Sequence, residues 1–205
     1  MLLNEKSLLL IWILSLFVGF SWLTVYAHTP GAEAHPEMRW PIESHLPNEN
    51  AMPTLLVFLH PKCSCSEATL AELERLMPVI RNRIRVIVIL AEIPPGPSKW
   101  FEHENEVVDR LAAEAIVVFK DRDGVEARRF DAQTSGQTLL YDQSHFLYFR
   151  GGLTPSRGHR GDSEGRTAIL SYLAGPTQTR ERPLQSRVFG CLLRKSSLTK
   201  NQVSP

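Results

Sequence analysis

Residues 8–27 (LLLIWILSLFVGFSWLTVYA) run for twenty positions without a charged side chain, and that run constrains the chain more than any other feature. A segment apolar on every side belongs in lipid or in a large core, and a helix is the structure that satisfies its backbone polar groups internally. At 1.5 Å of rise per residue, such a helix reaches about 30 Å, the thickness of a bilayer's hydrocarbon core. Trp12, Trp22 and Tyr26 carry amphipathic rings, and the last two suit the outer interface. Lys6 favours a cytoplasmic start, with Glu5 beside it diluting the signal. The expectation is a short cytoplasmic segment at 1–7 and a single-pass anchor at 8–27. The C-terminal domain then faces the periplasm or the exterior of the cell membrane. Val25-Tyr26-Ala27 also offers the small residue that a signal peptidase wants, so a cleaved signal is the rival reading. The length of the run favours the anchor, and both readings export the C-terminal domain.

Export gives the cysteines meaning. Cys63, Cys65 and Cys191 are the three in the chain, enough for one internal disulfide with a thiol left over. In an oxidising compartment, neighbouring thiols point to a disulfide, a metal site or a catalytic pair. The charge balance adds little: 23 basic against 22 acidic residues leave a net +1, so no overall field favours nucleic acid as a partner. The 205 residues suffice for one ordinary domain with flanking segments.

Along the chain, residues 28–53 carry Pro30, Pro36, Pro41, Pro47 and Pro53 without apolar periodicity, which reads as a semi-extended spacer. The domain itself spans 54–175. Residues 54–59 (TLLVFL) suit a central strand covered on both faces. From 66 to 80, Leu70, Leu73, Leu76, Met77 and Ile80 recur at helical spacing, with Ser66 as N-cap, Glu67 in the first turn, and Pro78 ending or kinking the helix. Residues 85–90 read as a second buried strand, 98–113 as a helix and 115–119 as a short strand. A polar turn at 121–124, a short helical piece at 125–130, and strands at 138–141 and 146–149 come next. A last helix at 163–173 stops before Gly175-Pro176, and a polar, basic tail at 176–205 contains Cys191. A strand-helix-strand unit followed by a hairpin and a helix implies an α/β fold with a central mixed sheet flanked by helices.

Cys63 stands where chemistry is expected. A thiol just before a helix faces unpaired backbone N–H groups and the positive end of the helix dipole, which favour thiolate over thiol, and the thiolate is both nucleophile and metal ligand. Lys62 acts in the same direction. A Cys63–Cys65 disulfide can be drawn, but so small a ring departs from relaxed geometry and is easily reduced.

The run from Leu56 through Phe58, His60, Cys63, Cys65 and Ser66 resembles the strand-to-helix turn of thioredoxin-fold proteins, with an aromatic residue five positions before the first cysteine. The resemblance puts Cys63 in the place of the nucleophile and Ser66 in that of the second cysteine of a C-x-x-C pair. Resolution then falls to Cys65, Cys191 or an external thiol. More of the chain is similar to the membrane-anchored bacterial thioredoxin-like proteins labelled RedB: His60-Pro61-Lys62-Cys63-Ser64-Cys65-Ser66, residues 124–130, Thr134-Ser135-Gly136, residues 150–166 and residues 188–192. The resemblance implies that Thr134, Ser135 and Gly136 stand in place of the usual cis-proline beside the active site. It also implies that the glycine-rich loop 151–165 lies next to Cys63, where Arg157 or His159 would steady a thiolate or bind an anionic substrate such as a glutathione carboxylate. The bland reading of that loop is a glycine-shaped turn with solvated charges.

Three functions stand as expectations. The leading one is a thiol–disulfide oxidoreductase without a cofactor, acting on a protein or small-molecule thiol or disulfide, with Cys63 attacking and Cys65 or Cys191 resolving. The second is a Cu(I)-binding module using Cys63 and Cys65 with His60, His159 or Cys191, although a lone histidine at a strand end is more often a hydrogen-bonded wall. The third is a non-catalytic adaptor with Cys63 and Cys65 in a static bond. Arg160-Gly161-Asp162 is too short a pattern to mean adhesion, and residues 121–131 lack the terminal glutamate of a calcium loop.

Overall fold

The computed structural model describes residues 4–48, 52–61, 63–92, 111–114, 116–175 and 182–193. Lys62 and residues 98–110 of the expected helix 98–113 lie outside the described residues, while 111–113 are helical.

The strands are β1 (Thr54–Leu59), β2 (Arg85–Ala91), β3 (Val117–Asp121), β4 (Gln137–Tyr141), β5 (Leu147–Gly151) and β6 (Leu184–Gln185), joined in one sheet of order β3-β2-β1-β4-β5-β6. The central strand, β1, is buried along its whole length. It pairs parallel with β2, from Thr54 opposite Arg85 to Leu59 opposite Leu90, and antiparallel with β4, from Thr54 opposite Tyr141 to Phe58 opposite Gln137. A parallel β1–β2 pair needs a crossover, supplied by helix α2 (Ser64–Ile80).

Alternation along β1 explains its unbroken apolar sequence. Leu55, Val57 and Leu59 face one cluster with Leu70, Leu73, Leu76, Met77 and Ile80 of α2 and with Ile169 of the last helix. Leu56 and Phe58 face the other, with Ile87, Ile89, Phe130, Tyr141 and Trp40. Burial of each such side chain contributes roughly 1.5–3 kcal/mol, so the strand is held from both sides. The result is a thioredoxin-like α/β fold, a mixed sheet flanked by helices.

Helix α1 (Glu5–Ala27) has no buried residue and is long and apolar enough to cross a membrane. Helix α3 (Val125–Arg129) is a five-residue piece after a 3₁₀ turn at Arg122–Gly124, and the buried Asp121 carboxylate accepts from the N–H groups of Glu126 and Ala127, each at 2.9 Å. Helix α4 (Glu164–Leu173) is capped by Ser163, whose hydroxyl oxygen accepts from Arg166 N.

Several sequence expectations shift. Helix α2 begins at Ser64, with Cys63 as its N-cap in place of Ser66. Pro78 stays within the helix because it falls in the last turn, where only one backbone bond is forfeited before the helix stops. The larger departure concerns the expected spacer. Ala34, Trp40 and Leu46 are buried, and the Trp40 ring packs edge-on against Phe130 and Tyr141 with centroids 5.2 Å away in both cases. Trp40 N donates to His145 O at 3.0 Å, and Leu147 N donates to Met38 O at 2.8 Å. Prolines keep this stretch from becoming helix without keeping it from packing. The tail likewise contributes β6 and the buried Val188 and Phe189.

Candidate redox site

The strand β1 ends at Leu59 and the chain turns through His60 and Pro61, where Cys63 N donates to His60 O at 3.1 Å. Cys63 is extended (φ −109°, ψ 120°), and its carbonyl accepts from Ser66 N at 2.9 Å as α2 begins. Its residue is 1% exposed. Behind it lies a closed set of hydroxyls. Ser66 Oγ donates to His60 O at 2.8 Å, which leaves Ser135 Oγ to donate to Ser66 Oγ at 2.8 Å while accepting from His60 N at 2.9 Å. Ser66, standing where a second cysteine would be in the C-x-x-C pattern, therefore ties the turn to the loop before β4.

Cys63 is bonded to Cys191, 128 positions away, with Cα atoms 6.0 Å apart. The segment around Cys191 lies antiparallel to residues 133–135: Ser135 N donates to Cys191 O, and Leu193 N donates to Gln133 O, each at 2.8 Å, with Thr134 and Leu192 bridged between them. Cys191 N points at Cys63 Sγ from 3.3 Å. On the far side, Gly31 N donates to Val188 O at 2.8 Å, and Thr134 Oγ1 donates to Ala32 O at 3.0 Å. The expected spacer thus clamps the tail against the loop.

Arg157 joins the same assembly. Its Nη1 donates to Gly190 O at 2.8 Å and its Nε to Thr29 O at 3.1 Å, while its backbone N donates to Ala27 O at 2.9 Å. The guanidinium lies 5.2 Å from the Tyr26 ring centroid. One side chain thereby links the end of α1 to the residue before Cys191 and brings a positive charge beside it.

The structure gathers Cys63, Cys191, Thr134, Ser135 and Arg157. Gly136, with φ +91°, donates its N–H to Phe58 O at 2.8 Å and holds the loop against β1. No peptide bond is cis among the described residues. Cys65 does not join the pair: it is a free, buried thiol. Cys63 is extended and stands outside the helix, where its sulfur is bonded to Cys191, while Cys65 lies in the first turn of α2. The drawn Cys63–Cys65 bond, and the static bond of the adaptor reading, give way to Cys63–Cys191. His159 is turned to its own loop, with Nδ1 2.7 Å from Arg157 O. Among the described residues no three His, Cys, Asp or Glu side chains form a group that could hold a metal ion, so the set Cys63, Cys65, His60 and His159 is not assembled.

Sequence reasoning missed Gln133, Gly31 and Gly190, all of which act through the backbone. It also missed Glu72, fully buried on α2, whose Oε1 accepts from Gly161 N at 2.8 Å and pins the glycine-rich loop to that helix. The spacing of Glu72 sets it with the charged residues off the face of Leu70, Leu73, Leu76, Met77 and Ile80, so the periodicity carries no signal for its burial.

No family model matches the chain, and no curated protein matches it. Solved structures do. A conserved protein from Geobacillus kaustophilus superposes with a TM-score of 0.56 at 18% identity, covering 83% of this chain and 94% of its own. A hypothetical protein from Sinorhizobium meliloti 1021 gives 0.56 at 16% identity, covering 82% and 96%. A thiol-disulfide isomerase from Corynebacterium glutamicum gives 0.46 at 13% identity, covering 72% and 97%. The first two likenesses extend to the fold. Fold and site together define a chain of thioredoxin-like fold with a disulfide at the N-terminus of the helix after its central strand.

Proposed function

We propose that the protein is a membrane-anchored, extracytoplasmic thiol–disulfide oxidoreductase of the RedB type, in which Cys63 is the nucleophile and Cys191 the resolving cysteine. The observation that carries this reading is the bond between a buried cysteine at the N-cap of α2 and a cysteine on a peripheral segment. The anchor reading rests on the apolar α1 and on Lys6 before it. The RedB reading rests on the motifs at 60–66, 134–136 and 188–192.

In the reduced protein, the Cys63 thiolate attacks one sulfur of a substrate disulfide and the other substrate sulfur leaves as thiolate. The Cys191 thiolate then attacks Cys63 Sγ, and the bound substrate sulfur leaves in turn. The substrate disulfide has become two thiols and the protein dithiol a disulfide, two electrons having passed. Cys191 is the exposed member of the pair, so an external dithiol regenerates the protein by attacking its sulfur and expelling Cys63 as thiolate. Departure at that position is favoured by the helix N-terminus.

The test is equilibration of the full chain in detergent across glutathione buffers, with the thiols counted by mass spectrometry. The expected result is one reversible two-electron transition that engages Cys63 and Cys191 and leaves Cys65 unmodified. A Cys63–Cys191 bond that never opens, or thiol exchange that survives Cys63→Ser, overturns the reading. Labelling of intact cells with a membrane-impermeant thiol reagent tests the orientation: reaction after reduction supports export, and protection until lysis contradicts it.

A further inference from the structure

We propose that the Cys191 segment is a tethered stand-in for substrate, and that the strip it lies on selects extended peptides in which glycine stands directly before the reacting cysteine. The proposal rests on the exchange reading and names the substrate class for that site.

The strip holds the tail largely by its main chain. Ser135 N, Gln133 O and Gly31 N pair with Cys191 O, Leu193 N and Val188 O, atoms that any extended segment presents. Backbone pairing of this kind gives affinity without specifying sequence. Once the Cys63–Cys191 bond is reduced, the same three groups and the Cys63 sulfur are free to receive an extended cysteine peptide from a partner. Tail and substrate therefore exclude one another, and the return of Cys191 to Cys63 both resolves the mixed disulfide and displaces the product.

Selectivity comes from the position before the cysteine. A Cβ on Gly190 would stand 1.9 Å from Ser135 O and 2.9 Å from Ser135 C, nearer than atoms approach without something shifting. Ser135 has little room to shift, being fully buried with its hydroxyl held between Ser66 and His60 and its N–H on the tail. Any residue but glycine is refused there. The next positions obey strand alternation: Leu192 is 53% exposed, while Leu193 is 5% exposed and enters the cluster with Trp40 and Phe130.

The test uses the full chain in detergent carrying Gly190→Ala and Cys191→Ser, whose own tail no longer seats. Its probes are the peptides Phe-Gly-Cys-Leu-Leu and Phe-Ala-Cys-Leu-Leu, each with thionitrobenzoate in disulfide linkage on the cysteine, and glutathione activated in the same way. Attack by Cys63 on the peptide sulfur releases coloured thionitrobenzoate. The glycine peptide is expected to react about tenfold faster than the alanine peptide, after normalising each to its rate with a free small thiol. Equal normalised rates overturn the selectivity and leave thiol exchange standing. No release from either peptide or from activated glutathione overturns the exchange reading itself, and the selectivity with it. Gly190→Ala alone reads the strip from the tail side: the Cys63–Cys191 equilibrium in glutathione buffer is expected to move about tenfold toward the dithiol, and an unmoved equilibrium overturns the proposal.

Discussion

The turn at Cys63 and the segment at Cys191 hold the two halves of one disulfide and are built in opposite ways. Much of the turn is local: His60 O takes hydrogen bonds from Cys63 N and Ser66 Oγ, and Cys63 O takes one from Ser66 N. The tail segment has no local scaffold, since its partners are Gly31, Gln133, Ser135 and Arg157. A site built from local bonds beneath a buried strand keeps its shape when the sulfur bond is cut. A site built from distant main-chain bonds, and closed by a covalent link across 128 positions, loses effective concentration once that link is gone. The contrast gives a fixed nucleophile and a partner that can leave.

The comparison breaks most sharply at the cysteines. Cys191→Ser is expected to abolish the internal disulfide transition and leave Cys63 as a thiol in reducing glutathione buffers and as a mixed disulfide with glutathione in oxidising ones. Cys65→Ser is expected to keep that transition at the same midpoint, while burial of a hydroxyl in place of the thiol lowers stability by about 1–3 kcal/mol. Mass-spectrometric thiol counting and urea unfolding read the two effects. If Cys65→Ser removed the transition and Cys191→Ser spared it, the fixed and mobile halves would have been assigned the wrong way round.

The next test concerns the stretch at 28–48, which clamps the tail. Trp40 fills the space between Phe130 and Tyr141, so Trp40→Ala is expected to lower unfolding free energy by about 3–5 kcal/mol. A spacer that only held the domain off the membrane would lose almost nothing. Denaturant unfolding distinguishes the two, and an unchanged midpoint would return this stretch to the role of a linker.

The same contrast explains what is legible in the sequence. Residues 54–59 are legible to the residue, because a strand buried on both faces must be apolar throughout. The last helix is legible because Ser163 precedes it as a cap. The N-cap of α2 is misplaced by three residues: Ser66 resembles an N-cap, but its hydroxyl is spent on His60 O, and Cys63 caps the helix by backbone conformation alone. Trp40 and Leu46 give no periodic signal, since each is buried by a separate tertiary contact. The sequence does not place Cys191, because its position depends on Gly190 meeting Ser135, a contact between positions that sequence spacing does not relate.

The smallest expected effect reads how well the stretch at 28–48 seals the sheet. Tyr141 has its phenol pKa raised well above the ordinary value, first by burial and then by the charge of Glu37, and its hydroxyl donates to Glu37 O at 3.3 Å. Trp40 lies against its ring, so the hydrogen bond, the charge and part of the burial all come from that stretch. A phenol that must stay neutral in the folded state titrates first in the unfolded chain, at about pH 10. Its contribution to stability is complete below that pH and falls as pH rises toward the folded value, because the unfolded chain then binds fewer protons. Above about pH 10 the unfolding free energy is expected to drop by up to ~1.4 kcal/mol per pH unit from this one group. Tyr141→Phe should remove that part of the slope, read by urea unfolding at successive alkaline pH values. Trp40→Ala should weaken it by admitting water to the phenol. A slope identical in all three proteins would mean that the stretch does not seal the sheet, and that the clamp on the tail is looser than its hydrogen bonds imply.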